Sequence, residues 1–425
     1  MAQLQPARGT HDFLPADAAR HRHVEDVAFD VAQLYGFGEI MTPIFEFTEV
    51  FSRTLGETSD VVTKEMYTFT RADVDEKGRD QSVSLTLRPE GTAGVARAFI
   101  SNGLKQNLPV KLFYRGPMFR YERPQKGRYR QFHQIGIELI GVDTPQADIE
   151  VISTGAHILD RLELDSPVSL HLNSLGDAES RAVYRDALVS YLRSHQSTLS
   201  EDSLARLDRN PLRVLDSKDP ADREIVAEAP LLRDYLNEKS RTFFSRVCDG
   251  LDAVGIAFVH DDRLVRGLDY YCHTAFEFVS GALGAQGTVM AGGRYDGLIA
   301  QMGGPQTSGV GWAAGIERLS MLARDVPTVK RAVAIIPMGD DTLALKTAER
   351  LRRNDFVVDL GYSGNMGKRM TRANKQGARA VVILGEDEAA RGAATVRDLD
   401  TGTQQEVALD GLSAYLRELF GTTCA

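Results

Sequence analysis

The stretch Val110–Gly141, VKLFYRGPMFRYERPQKGRYRQFHQIGIELIG, decides how the rest of the chain is read. It holds two runs of alternating character joined by a short basic loop, QKGRYR, the pattern of strands with two distinct faces. By parity Met118, Arg120 and Glu122 share one face of the first run, and Phe132, Gln134, Gly136 and Glu138 share one face of the second. Paired as a hairpin, the two runs would place an arginine, carboxylates, an amide and an aromatic ring around a glycine-floored gap. Burying that set without partners would cost about 1–3 kcal/mol per unsatisfied group, and more for charges. The face is therefore expected to meet a ligand that carries both anionic and cationic groups. An edge hairpin with a solvated face is the plain alternative.

Outside the hairpin, composition sets the bounds. The chain has 425 residues, enough for roughly two to three domains. At 43% hydrophobic and 26% charged it reads as an ordinary globular protein. No run approaches the ~18 apolar residues that a membrane span requires. The start, MAQLQPARGTHDFLP, lacks a basic region followed by an apolar run, so no secretory signal is expected. Cys248, Cys272 and Cys424 are far apart and form no Cys-x-x-Cys pair, which fits a reducing cytoplasm and neither a disulfide framework nor a zinc site. Net charge is −9 and the sequence pI about 5.6, against indiscriminate coating of nucleic acid. Two basic patches stand out on that acidic background: Arg115, Arg120, Arg123, Lys126, Arg128 and Arg130, and then Lys368, Arg369, Arg372, Lys375 and Arg379. Each is either a focused phosphate site or a solvated charged face.

Along the chain, Asp17–Leu34 has helical apolar spacing, broken by Gly36 and Gly38 before the extended run EIMTPIFEF. A helix is expected from about Pro89 to Asn102, with Gly103 beyond its end. Asp143–Leu162 reads as another helix and LHLNSLG as a strand. From about 177 to 253 the chain is helical and charged, an inserted helical module. Strand character returns in LDYYCHTAFEFV and GTVMAGGRYDGL, and TSGVGWAAGIERLSML passes from strand to helix at about Ile316. A polar connector, RDVPTVK at 324–330, marks a domain boundary. Beyond it strands and helices alternate, which implies a small α/β domain with parallel pairing.

Chemistry concentrates outside the hairpin too. In LTLRPEGTA, Glu90 sits near a helix N-terminus, where a cap is the ordinary explanation and a ligand-ammonium acceptor the sharper one. Within the hairpin, the planar fork of Arg120 suits an oxyanion, Glu122 could take an exocyclic amine, Phe132 could stack on a purine, and Arg128 could reach a polyphosphate. In LVRGLDYYCHTAFEF, Arg266 lies between apolar residues and glycine; Tyr270 is expected in the core. Gly309, Gly311 and Gly315 do not match a dinucleotide-binding motif, and Arg318 at the following helix start is a candidate phosphate clamp.

Taken in order, these strings resemble the histidyl-tRNA synthetases, a class II aminoacyl-tRNA synthetase family, nearly end to end. MTPIFEF with Pro43 looks like the family's dimer-interface motif, FRYERPQKGRYRQFHQ like its second motif and GVGWAAGIERL like its third. LVRGLDYY and AGGRYDGL are similar to two peptides peculiar to the histidine enzymes. The resemblance implies an α+β fold: an antiparallel-sheet catalytic core over 1–325 with its helical insertion, and an α/β anticodon-binding domain over 331–425. It also implies ligation of L-histidine to its tRNA through a histidyl-adenylate, with ATP and Mg²⁺, in a cytoplasmic homodimer. Glu90, Thr92 and Gln134 would hold the histidine ammonium, Glu138 and Tyr271 the imidazole nitrogens, and Tyr295 would line that pocket. Arg120 and Arg266 would bind carboxylate and α-phosphate as the catalytic pair. Glu122 and Phe132 would hold adenine, Arg128 and Arg318 the outer phosphates. No resident metal ligand is implied. Lys368, Arg369, Arg372 and Lys375 would contact tRNA. A regulatory paralogue on the same fold would be expected to lack the C-terminal domain.

Overall fold

The computed structural model describes residues 3–56, 61–74, 80–125, 127–207, 211–215, 217, 219–265, 270–324, 330–339 and 341–421. The chain divides into two compact units, 1–327 and 328–425. The architecture is α+β, an antiparallel-sheet core with helical additions followed by a C-terminal α/β unit.

The first unit opens with α1 (Pro15–Leu34), in which Val24, Ala28, Val31 and Ala32 form one buried stripe. Proline in its first turn removes an N–H that would have lacked an intrahelical partner. The helix stops at Gly36, whose φ of +80° lets the Phe37 N–H return to the Ala32 carbonyl at 3.0 Å. β1 (Gly38–Glu39), β2 (Phe45–Phe47) and α2 (Thr48–Ser52) follow. β2 joins β3 (Thr68–Val74) and β4 (Asp80–Leu87) in a small antiparallel sheet of order β2-β4-β3. The helix expected from Pro89 begins instead as α3 (Thr92–Ser101). The Glu90 carboxylate takes the N–H groups of Thr92 and Ala93, at 2.7 and 2.8 Å, and so sets the first turn there.

The hairpin is β5 (Val110–Phe119) paired with β6 (Gln131–Ile140), with Met118 opposite Phe132 and Leu112 opposite Glu138. Arg120 and Glu122 lie past the end of β5. The Arg120 N–H still donates to the Arg130 carbonyl at 2.9 Å, so pairing runs one rung further. Next come α4 (Pro145–Arg161), β7 (Val168–Ser174), α5 (Ala178–Ser194), α6 (Glu201–Leu207), α7 (Pro220–Ala227) and α8 (Glu238–Ala253). Tyr184, Leu188, Val214, Ile225 and Leu236 form a separate helical core. α8 lies within the stretch expected to be inserted, yet its Val247 and Leu251 belong to the main core.

The unit closes with β8 (Phe258–His260), β9 (Cys272–Ser280), β10 (Thr288–Arg294), α9 (Leu298–Gln301), β11 (Gly309–Gly315) and α10 (Ile316–Leu322). The 8-stranded sheet has the order β1-β5-β6-β11-β10-β9-β7-β8, antiparallel except for its outermost pairs. With side chains alternating between faces, Ile135, Ile137, Val310 and Trp312 turn toward the buried stripes of α1 and α4. The other face presents Glu138 opposite Gly311 and Gly136 opposite Ala313. β10 is tied to α4 by Arg294 and Asp148, both fully buried, with Arg294 Nε 3.2 and 3.1 Å from the two carboxylate oxygens. Burial opposes the Arg294 charge, but attraction and hydrogen bonding from Asp148 outweigh it and hold the guanidinium above its usual range.

The second unit contains β12 (Val333–Pro337), α11 (Asp341–Arg352), β13 (Val358–Leu360), α12 (Met366–Lys375), β14 (Ala380–Leu384), α13 (Glu386–Ala390), β15 (Ala393–Asp398), β16 (Gln404–Ala408) and α14 (Leu412–Phe420). Its sheet, β13-β12-β14-β15-β16, is parallel through β14 and antiparallel after it, correcting the expectation of parallel pairing. The connection from Leu384 to Ala393 is too short for a crossover, so the chain can only turn back. No described helix is long and apolar enough to cross a membrane.

Candidate active site

One cleft of about 240 Å³ opens over the polar face of the large sheet. Glu90, Thr92 and Gln134 line it together with Tyr271, and so do Arg120, Glu122, Arg128, Phe132 and Arg318. Antiparallel neighbours explain the convergence: β6 supplies Phe132 and Gln134, its loop supplies Arg120 to Arg128, and α10 begins where β11 ends. Arg266 lies outside the described residues.

At one end the groups are buried and mutually bonded. Glu138, 1% exposed, accepts from Thr92 Oγ1 at 2.7 Å and from the Tyr295 hydroxyl. Burial pushes its carboxyl up to about 8, partly offset by those two donors. Glu138 and Tyr295 thus form the wall behind Thr92. Burial, then the Glu138 carboxylate, raises the Tyr295 phenol well above its ordinary value. Glu90 is buried and bonded to the N-terminus of α3, so the capping role is real; burial raises its carboxyl too. The Gln134 amide oxygen is buried without a hydrogen-bond partner. An unsatisfied acceptor in a cleft that the Glu90 carboxyl also lines is a place for a cationic N–H donor.

At the other end lie cations. Arg120 donates to the Pro89 carbonyl at 2.8 Å, and its guanidinium stands 5.4 Å from the Phe132 ring centroid. Arg128 Nε is 2.8 Å from Glu122. Arg318 donates to the carbonyls of Thr288 at 2.6 Å and Gly127 at 3.3 Å. Burial, then Arg128, lowers the Arg318 pKa. The forks of Arg120 and Arg318, held by backbone oxygens, are placed in advance for phosphate, whereas Arg128 is held by the Glu122 carboxylate.

Several expectations are corrected. The gap over Gly136 is filled: a Cβ there would strike the Tyr114 ring, as it would at Gly91. Tyr114 lies opposite Gly136 in the ladder, is 3% exposed, and occupies a place that sequence parity could have found. Tyr270 and Tyr271 precede β9 rather than lying in it; Tyr270 is buried as expected yet also borders the cleft. The Tyr271 carbonyl accepts from Arg181 of α5 at 2.7 Å. The first basic patch is not one surface. Arg115 pairs with Glu39 at 2.8 Å, and Arg130 lies over the Tyr121 ring at 3.8 Å, while Lys126 lies outside the described residues. In α12, Lys368 and Lys375 are exposed, but Arg369 donates to the Pro337 carbonyl and Arg372 is 3.6 Å from Asp359.

Glu317, beside Arg318, also borders the cleft and was missed in sequence because it reads as ordinary helix. It accepts from the His133 backbone N–H and ring Nδ1, each at 2.9 Å. Donor atoms of His21, His133 and Glu317 lie within 4.8 Å of one another. Burial, then His133, pulls the His21 imidazole down to about 4 and keeps it neutral.

Comparison with known proteins agrees with this geometry. Residues 9–319 match the histidyl-tRNA synthetase family and residues 332–419 an anticodon binding domain. The histidine–tRNA ligase of Rhodospirillum rubrum is 65% identical over 419 residues, covering 98% of this chain and 99% of that protein. That of Gluconacetobacter diazotrophicus is 54% identical over 423 residues, covering 99% and 100%. The apo histidyl-tRNA synthetase of S. aureus superposes with a TM-score of 0.79 at 35% identity, covering 97% of this chain and 99% of that one.

Proposed function

The chain belongs to the histidyl-tRNA synthetase family, and on that premise we propose that the cleft holds L-histidine at its buried acidic end and ATP at its guanidinium end. The activity is the family's: histidine is charged onto tRNA, by way of the adenylate step general to class II synthetases. The family generally uses Mg²⁺ with ATP, and the ion enters here with the nucleotide as part of the substrate.

Glu90, Thr92 and Gln134 take the α-ammonium; Glu138 and Tyr271 take the imidazole nitrogens, with Tyr295 fixing Glu138. An apolar isostere would leave these buried groups unpaired, a discrimination on the order of 10⁴. Phe132 and Glu122 hold adenine, and Arg128 and Arg318 the outer phosphates. Arg120 and Arg266 straddle the histidine carboxylate and the α-phosphate and steady the charge that grows as carboxylate oxygen attacks phosphorus. A terminal ribose hydroxyl of tRNA then displaces AMP from the acyl carbon.

Residues 1–325 are assigned as the catalytic domain and 331–425 as the anticodon-binding domain, whose bases are read in a single-stranded loop. Met41, Phe45 and Phe47 are 81%, 53% and 61% exposed around Pro43, an apolar strip suited to a second copy of the chain. The enzyme is assigned to the cytoplasm, where translation consumes its product.

The observation that carries the reading is the buried Thr92–Glu138–Tyr295 triad, whose Thr92 shares the cleft with the unpartnered Gln134 oxygen. Histidine-dependent exchange of labelled pyrophosphate into ATP, followed by charging of total tRNA with each amino acid, tests it. Arg266→His should leave ATP binding detectable and slow exchange severely; a near-normal rate would remove Arg266 from its role.

A further inference from the structure

Residues 7–13, ARGTHDF, form no helix or strand, yet they are fastened to the hairpin loop at successive points. The Gly9 carbonyl accepts from the Arg130 N–H at 2.8 Å. Gly9 has a φ of +87°, and a Cβ there would meet Arg130 Cγ at 2.7 Å and Cδ at 2.8 Å, so glycine alone fits under that side chain. Arg130 in turn donates to the Glu122 carbonyl at 3.3 Å and the Arg8 carbonyl at 3.5 Å. Two residues on, the His11 ring lies 4.4 Å from Tyr129 and 4.4 Å from Phe13. Phe13 is anchored on His21 at 4.9 Å and His133 at 5.5 Å, and His133 is gripped by Glu317.

At the receiving end are Tyr129 and Arg130; Tyr129 lines the cleft together with its neighbour Arg128. Their loop turns tightly, with Gln125 and Arg128 exchanging backbone hydrogen bonds at 3.1 and 2.9 Å. A long loop bearing a phosphate-binding arginine would lose conformational freedom each time nucleotide arrived. Tied from outside, it is already ordered.

We infer that the N-terminal segment is a strap that positions the Arg128–Arg130 loop for the outer phosphates of ATP, with Gly9 and His11 as positioning residues. The inference rests on the assignment of that end of the cleft to ATP. Among the described residues the strap's hydrogen bonds and ring contacts run to Tyr129, Arg130, His21 and His133, so its loosening falls on nucleotide affinity and spares histidine.

The test is pyrophosphate exchange by the full chain, with ATP and histidine varied separately, for wild type, His11→Ala, His11→Phe and Gly9→Val. His11 is exposed, so its truncation leaves the fold intact. Removing the His11 ring with its two aromatic contacts should raise the KM for ATP roughly 3- to 10-fold in His11→Ala, leave the KM for histidine within about twofold, and be reversed by His11→Phe. Gly9→Val should act in the same direction. An unchanged KM for ATP in His11→Ala overturns the strap. So does a parallel rise in both KM values with a lowered melting temperature, which marks a general structural effect. Absence of histidine-dependent exchange in the wild type would instead bring down the ATP assignment beneath it.

Discussion

Replacing Glu138 by glutamine separates a buried acid from its isosteric amide. In the wild type both oxygens accept hydrogen bonds, from Thr92 Oγ1 and the Tyr295 hydroxyl, and burial raises the carboxyl from 4.5 to about 8. The folded chain therefore holds this proton more tightly than the unfolded chain does. The stability it contributes is complete below about pH 4.5 and is lost as pH rises toward 8, by up to about 1.4 kcal/mol per pH unit. Over the window the loss is on the order of 4–5 kcal/mol. A unit of this size has an unfolding entropy near 2 cal/mol/K per residue, so the shift in melting temperature is roughly 6 °C. Glutamine does not titrate. Its NH₂ donates where the protonated acid's O–H does, to a hydroxyl that turns to accept, so it stands in for the neutral form at every pH. Melting temperatures of wild type and Glu138→Gln, measured from pH 5 to 8.5, should diverge, the wild type falling relative to the variant. Taking the difference removes Glu90 and Asp148, which are also buried acids. Two parallel curves would show that Glu138 does not hold a proton across that range, and the account of the pocket's acidic end would fail.

Other outcomes follow from particular contacts. Arg294→Met leaves Asp148 buried and unpaired and should cost about 3–5 kcal/mol in urea unfolding; adding Asp148→Leu should recover most of it. Gly311→Ala would drive a methyl group into the Glu138 carboxylate; the KM for histidine should rise at least tenfold, on the order of 1–3 kcal/mol of overpacking, with the KM for ATP little changed in the same exchange assay. Lys368→Glu with Arg372→Glu should weaken tRNA binding and flatten its log–log salt slope by roughly 1.4–1.8 in filter-binding titrations. Phe47→Asp should shift sedimentation toward a single chain without unfolding it, since that side chain is 61% exposed.

Much of this was legible because the hairpin repeats with a period of two. The alternation around Met118 and Gln134 carried the pairing, which the ladder reproduces as far as Phe119, while Arg120 and Glu122 lie beyond it. Tyr114 has the same parity as Met118, and its absence from the expected site came from ending the face too early. Glu317 and Gly9 carry no such periodicity; one is a charged helix residue and the other a loop glycine, and only tertiary contact gives them meaning. The basic patches misled for a related reason. Sequence counts guanidiniums but not the carbonyls and carboxylates that claim them, as Pro337 claims Arg369 and Glu39 claims Arg115. In the C-terminal unit the length of the connection before Ala393 forbade a crossover, a signal present in the sequence and outweighed there by the strand–helix rhythm.

The hold of Arg181 on the Tyr271 carbonyl gives the helical lobe a share in the cleft over the large sheet that its separate core conceals. A minimised enzyme made by cutting out α5 to α7 would take the Arg181 donor away from that oxygen. Any such graft or excision must first supply a new cation, or an ordered amide, at that one point.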